Sequence, residues 1–89
     1  MNAHNMLSPK TGNSVANQFV INDDNGNTFF QSYNSIIVKK NFDGIFLDEN
    51  YWNYSRTTTK YRNLFLGENT EATRKKIKAG LYKLVNLNK

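Results

Sequence analysis

The stretch Tyr51–Glu68, YWNYSRTTTKYRNLFLGE, constrains this chain more than any other. Ser55 is an N-cap residue type, able to accept a hydrogen bond from a first-turn backbone N–H. Gly67 is the residue type that ends a helix in the left-handed conformation. Between them Thr57, Thr58, Tyr61, Leu64 and Phe65 recur at helical spacing, with Tyr54 just before, and predict an inward stripe. At roughly 100° per residue Arg56, Thr59, Lys60 and Asn63 fall on the opposite side, with Arg62 at its edge. Three consecutive threonines are weak helix formers, so the stripe must gain its stability by packing on something.

The rest of the chain supplies that something as strands. Asn17–Ile21 is a β-rich run closed by Asp23-Asp24-Asn25-Gly26-Asn27, where Asn-Gly tolerates the positive φ angles of a tight hairpin. Thr28–Val38 is too long for one strand with neither side cleanly polar, which predicts a bulge or break near Tyr33-Asn34-Ser35. Asp43-Gly44 turns the chain into Ile45–Leu47. Beyond the first helix, Thr70 caps a shorter one over Glu71–Ala79, Gly80 stops it, and Leu81–Leu87 adds a last strand. The expected fold is α+β: a small antiparallel sheet of three to four strands covered by two short helices, in the order β-β-β-α-α-β. Residues 1–16, rich in Asn, Ser and Gly without an apolar period, read as a flexible N-terminal arm, and residues 17–89 as one α+β domain.

With 89 residues and no cysteine, neither disulfides nor thiolate-bound metal reinforce the core, and such a chain buries only about 60–65% of its unfolded surface. Aromatic residues, at 13%, must supply core that aliphatic residues do not. No apolar run approaches the roughly 20 residues of a membrane span. The opening Met1–Ser8 lacks the charged and apolar parts of a signal peptide, so the expected location is the cytoplasm, with no membrane partner.

Charge is unevenly divided. Residues 1–51 carry three lysines against five carboxylates, whereas residues 52–89 carry nine Lys and Arg against two. Such asymmetry points to an anionic partner for the C-terminal half. Arg56, Lys60, Arg62, Arg74, Lys75, Lys76 and Lys78 form the candidate basic face, since arginine forks and lysine point charges are what phosphate contacts require. Trp52 and Tyr51 are the candidate aromatic contacts, rings beside cations being suited to stacking on unpaired bases. Tyr54 and Tyr61 lie on the apolar stripe and read as core instead. The bland alternative for the lysines is a solvated surface.

Catalytic readings lack their parts. There is no cysteine nucleophile, His4 is the only histidine and sits in the arm, and no phosphate-cradling glycine loop is present. Zinc would need more His or Cys ligands than exist. Asp43, Asp48 and Glu49, with Lys60, form the remaining set, conceivable as a magnesium nuclease; Asp43 reads better as a turn residue and Asp48-Glu49 as solvent-facing. The chain is expected to be no enzyme, with no cofactor and no metal.

Phe30-Gln31-Ser32-Tyr33-Asn34-Ser35-Ile36-Ile37, then Tyr51-Trp52, then Tyr54-Ser55-Arg56-Thr57-Thr58-Thr59-Lys60-Tyr61-Arg62-Asn63-Leu64-Phe65-Leu66-Gly67-Glu68 resembles a family of small phage-borne proteins that share a Ser-Tyr strand and a Tyr-Ser-x-Thr-Thr-x-Lys helix start. The resemblance spans roughly residues 17–87. It implies a phage accessory protein that works by binding. The leading expectation is an anti-defence, anti-CRISPR-like inhibitor that engages a host nuclease or its guide RNA through the basic, aromatic-bearing half in the host cytoplasm. The alternative is a general single-stranded RNA or DNA-binding module.

Overall fold

Short polar turns divide the first half of the chain into a meander. In the computed structural model, which describes residues 1–88, five consecutive strands pair as antiparallel neighbours: β1 (Asn2–Leu7), β2 (Ser14–Asn22), β3 (Thr28–Ser32), β4 (Ser35–Asn41) and β5 (Gly44–Asp48). Asp23 builds the β2–β3 turn: its Oδ1 accepts the N–H groups of Asn25 and Asn27, both at 2.9 Å, and Gly26 takes φ +84°. Two helices follow, α1 (Arg56–Leu66) and α2 (Thr70–Lys78), and then β6 (Tyr82–Val85), which lies parallel to β5. Parallel neighbours need a long crossover, and the two helices provide it.

The expected sheet of three to four antiparallel strands is therefore corrected to a mixed six-stranded sheet in sequence order, within an α+β fold. The added strands come from two places, an unforeseen β1 and the expected break near Tyr33-Asn34-Ser35, which is a full turn between two strands. The expected flexible arm is not what the structure shows, because residues 2–7 pair with residues 14–22 as β1 and β2. Most of β1 is exposed at the sheet edge, so its ladder leaves no apolar alternation for a sequence to display. The run Thr28–Val38 is two strands joined by a turn in which Tyr33 takes φ +56° and donates its N–H to the Asn17 carbonyl at 2.7 Å.

Register sorts the side chains onto two faces. The row His4–Val20–Phe30–Val38–Leu47–Leu84 runs across all six strands on the side of the helices. Phe30, Val38 and Leu47 are fully buried there, and Phe30 stacks on Phe65 of α1 at 5.9 Å between centroids. A bulge between Val38 and Ile36 adds Ile37, which is also fully buried. With Tyr61 and Tyr82 these make the core; each such side chain contributes about 1.5–3 kcal/mol.

Hydroxyl groups dock the start of α1. Ser55 Oγ accepts the Thr58 N–H at 3.1 Å as the helix N-cap and donates to Thr58 Oγ1 at 3.0 Å. Thr58 Oγ1 and Ser32 Oγ of β3 are then hydrogen-bonded at 2.8 Å in a fully buried setting. Ser32 belongs to the Ser-Tyr strand and Thr58 to the threonine-rich helix start, so the two parts of that sequence pattern meet as one contact. Gly67 closes the helix at φ +70°, donating its N–H to the Asn63 carbonyl. The inward face is Thr58, Tyr61, Arg62 and Phe65; the expected stripe is rotated, leaving Thr57 and Leu64 exposed. The N-cap of α2 is Asn69, whose Oδ1 accepts the Ala72 N–H at 2.8 Å, and Thr70 is helical rather than capping. Among the described residues no helix is long and apolar enough to cross a membrane.

Candidate functional site

Trp52 sits midway along the β5–α1 connection, against the core and beside α2. Asp48 sets its position. It is fully buried, its Oδ2 accepts the N–H groups of Asn50 (3.0 Å) and Tyr51 (2.9 Å), its Oδ1 accepts that of Leu87 (2.8 Å), and its carbonyl accepts that of Trp52 (3.0 Å). Asp48 is thus a structural cap rather than the solvent-facing residue the sequence suggests.

Arg62 supports the Trp52 region from below. It was expected at the edge of the basic face; the structure corrects this, because its side chain is fully buried. One terminal nitrogen donates to the Trp52 carbonyl (2.5 Å) and Asn53 Oδ1 (3.3 Å), the other to Asn63 Oδ1 (2.9 Å) and Thr70 Oγ1 (2.8 Å). A single guanidinium therefore joins the β5–α1 connection, α1 and the first turn of α2. Burial, and then the like charge of Arg74, lower its pKa, and Glu68 opposes them. An arginine starts so high that it stays charged at neutral pH. The apolar-looking end of this contact is Trp52, whose ring centroid lies 5.2 Å from the guanidinium carbon.

Arg74 reaches the same ring from α2, with its guanidinium carbon 5.7 Å from the centroid. Around it Trp52, Glu71, Arg74, Lys75, Ile77 and Lys78 line an open cleft of about 410 Å³. Arg74, Lys75 and Lys78 are exposed, and the Lys75–Glu71 pair at 3.9 Å is loose and solvated, of the kind that contributes little. A ring flanked by cations on α2 and by a buried guanidinium makes a positive, partly apolar surface. Chemically it can hold a planar anionic group by stacking and charge together.

The other candidates are not part of this cluster. Lys76 is bound to Glu68 Oε1 at 2.5 Å, where Tyr82 Oη also donates (2.9 Å) and Thr73 Oγ1 donates to Oε2 (2.6 Å). Burial works to raise the Glu68 pKa, but the hydrogen bonds from Lys76, Thr73 and Tyr82, with the Lys76 charge, hold it below the usual value. This node ties α2 to β6 and takes Lys76 out of the binding set. Arg56 and Lys60 are exposed on α1; Lys60 lines a second cleft of about 430 Å³ with Pro9, Asn63, Leu64, Gly67 and Glu68. Tyr51 packs against the core and meets Tyr54 edge-on at 5.3 Å. Tyr54, expected in the core, is 54% exposed, whereas Tyr61 is buried as expected.

Ile77 and Glu71 belong to the cleft but were not among the candidates. Ile77 lies one helical turn from Arg74 and Thr73, and that spacing is the signal that places it beside the cations. Neither the curated proteins nor the solved structures contain a match to this chain. A model described as "Family of unknown function (DUF8033)" matches residues 1–80, from β1 to the end of α2, and the chain belongs to that family.

Proposed function

We propose that this protein is a non-catalytic binding protein that takes an unpaired nucleic-acid strand on the cleft between Trp52 and α2. As a phage anti-defence inhibitor it would meet that strand as the guide RNA of a host ribonucleoprotein nuclease. The observation that carries the reading is the placement of Trp52 beside Arg74, with Lys75 and Lys78 along the same cleft. Stacking a base on Trp52 requires Arg74 to swing from the ring face to a phosphate, and an exposed arginine is free to do so. The buried Arg62 charge adds a fixed positive field that no movement can remove.

Trp52 is the sole tryptophan, so its fluorescence reports directly on the cleft. Titration with a single-stranded oligoribonucleotide is expected to quench it, with an affinity that falls steeply as salt rises. Lys75→Glu with Lys78→Glu should weaken binding at least tenfold without changing the melting temperature. In host lysate, a nuclease ribonucleoprotein is expected to be captured without RNase and lost with it. Absence of quenching, or quenching insensitive to salt, would overturn the reading; capture that survives RNase would instead place the contact on the nuclease protein.

A further inference from the structure

The second face of the sheet carries a row that the helices do not cover. Register places Ala3, Ile21, Phe29, Lys39, Phe46 and Lys83 side by side across all six strands. Phe19 and Ile36 flank this row, two residues further along β2 and, through Gln31, on β4. Ile21, Phe29, Phe46, Phe19 and Ile36 are all partly exposed, and none of them belongs to the core or packs against it. Both helices lie on the opposite side, α1 through Phe65 and Thr58 and α2 through Lys76 on Tyr82 of β6.

Two features choose an occupant for this face. The first is charge: among the described residues of the row the charged side chains are Lys39 and Lys83, both positive, and they stand within the apolar row rather than around it. Lys39 lies over the Phe46 ring, 5.6 Å from its centroid. A second copy of a chain with net charge +5 would bring lysine against lysine. The second is size: from strand spacings of about 4.8 Å and a rise of about 3.3 Å per residue, the apolar set covers roughly 160 Å². That is well below the roughly 800 Å² per partner of a stable dimer, and it matches the single apolar stripe of a helix 10–12 Å across.

We propose that this face docks an acidic amphipathic helix of another protein. Lys39 and Lys83 are two strands apart, about 10 Å, which is the distance spanned by helix positions i and i+7 at about 1.5 Å per residue. Carboxylates at those positions meet the two lysines, the apolar residues between them cover Phe46, and the same stripe continued past Lys39 covers Phe29. The inference is independent of the nucleic-acid reading, since the face lies on the other side of the sheet from α2.

The test uses the intact protein and a synthetic peptide of about 18 residues, a leucine-faced helix with glutamates seven apart, followed by backbone-amide NMR. The amides of Ile21, Phe29, Lys39, Phe46 and Lys83 are expected to shift while those of Arg74 and Lys78 do not. Lys39→Glu with Lys83→Glu should weaken the peptide at least tenfold, leave the melting temperature unchanged, and create binding for the same peptide with lysines in place of glutamates. The proposal is overturned if the acidic peptide shifts α2 instead, or if both peptides bind the unaltered protein equally. It is also overturned if the protein sediments as a dimer with this face protected, or if phosphatidylserine vesicles shift the same amides more strongly than the peptide does.

Discussion

Arg62 and Arg74 sit on the same tryptophan, yet one holds the fold together and the other is free to meet a partner. Arg62 projects from the inward side of α1, where every route to water is closed and carbonyl, amide and hydroxyl oxygens converge on its guanidinium. Arg74 projects from the outward side of α2, exposed, with its guanidinium over the Trp52 ring. The chemistry of the side chain is identical, so the difference lies wholly in which direction the helix turns it. Basic residues counted along a sequence therefore overstate the working surface: of the candidate cations, Arg62 and Lys76 are committed to internal contacts.

That contrast is easiest to break at Arg62. Arg62→Met removes the donor shared by four oxygens and should cost about 2–4 kcal/mol, since each buried acceptor left unpaired costs about 1–3 kcal/mol and packing is only partly recovered. Arg74→Ala, by comparison, should change stability by less than about 0.5 kcal/mol. Urea denaturation of the two variants decides the matter; equal losses would mean the two arginines do the same job. For a domain of this size each 1 kcal/mol moves the melting temperature by about 4–8 °C.

Glu68 gives the next largest effect, because it is what commits Lys76. Glu68→Gln should cost about 1.5–2 kcal/mol near neutral pH, the contribution of hydrogen bonds to a charged group. The folded-state pKa of Glu68 lies below its usual value near 4.5, so its stabilisation is complete above that value and disappears as the pH falls through the folded pKa. The unaltered protein should lose stability on acidification through that window, while the Gln variant loses less there. Parallel acid titrations monitored by circular dichroism would refute the assignment if the two curves kept a constant separation.

The smallest effect has the opposite sign. Gln18 of β2 is fully buried, and neither its amide nitrogen nor its amide oxygen has a hydrogen-bond partner among the described residues. Gln18→Met keeps the length of the side chain and removes the unpaired polar atoms, and should stabilise the protein by about 1 kcal/mol. A lower melting temperature in this variant would show that the amide is paired in solution.

Much of α1 was legible in the residues. Ser55 and Gly67 mark its ends because capping and left-handed termination are local chemistry, decided within four residues. Its inward face was only approximately legible, since periodicity treats Arg62 as polar and Leu64 as apolar. In the fold, Arg62 turns inward because the Trp52 carbonyl and Thr70 hydroxyl, ten and eight residues away, supply the oxygens that make its burial tolerable. The first strand was not legible at all. A half-exposed edge strand is held by backbone hydrogen bonds, and those carry no side-chain signature. The parallel pairing of β6 was hidden for a related reason: direction in a sheet follows from where the crossover helices return the chain.

The sequence by itself determined the β2–β3 turn, the ends of α1, the cysteine-free aromatic core and the concentration of positive charge after residue 51. Each of these depends on a few neighbouring residues or on composition alone. Tertiary structure decided which cations stay free, which ring they surround, and that both helices pack on one face of the sheet. Those outcomes depend on distances between residues far apart in the chain, such as Trp52 to Arg74 or Lys39 to Lys83, and only the packing of helices on a six-stranded sheet sets them.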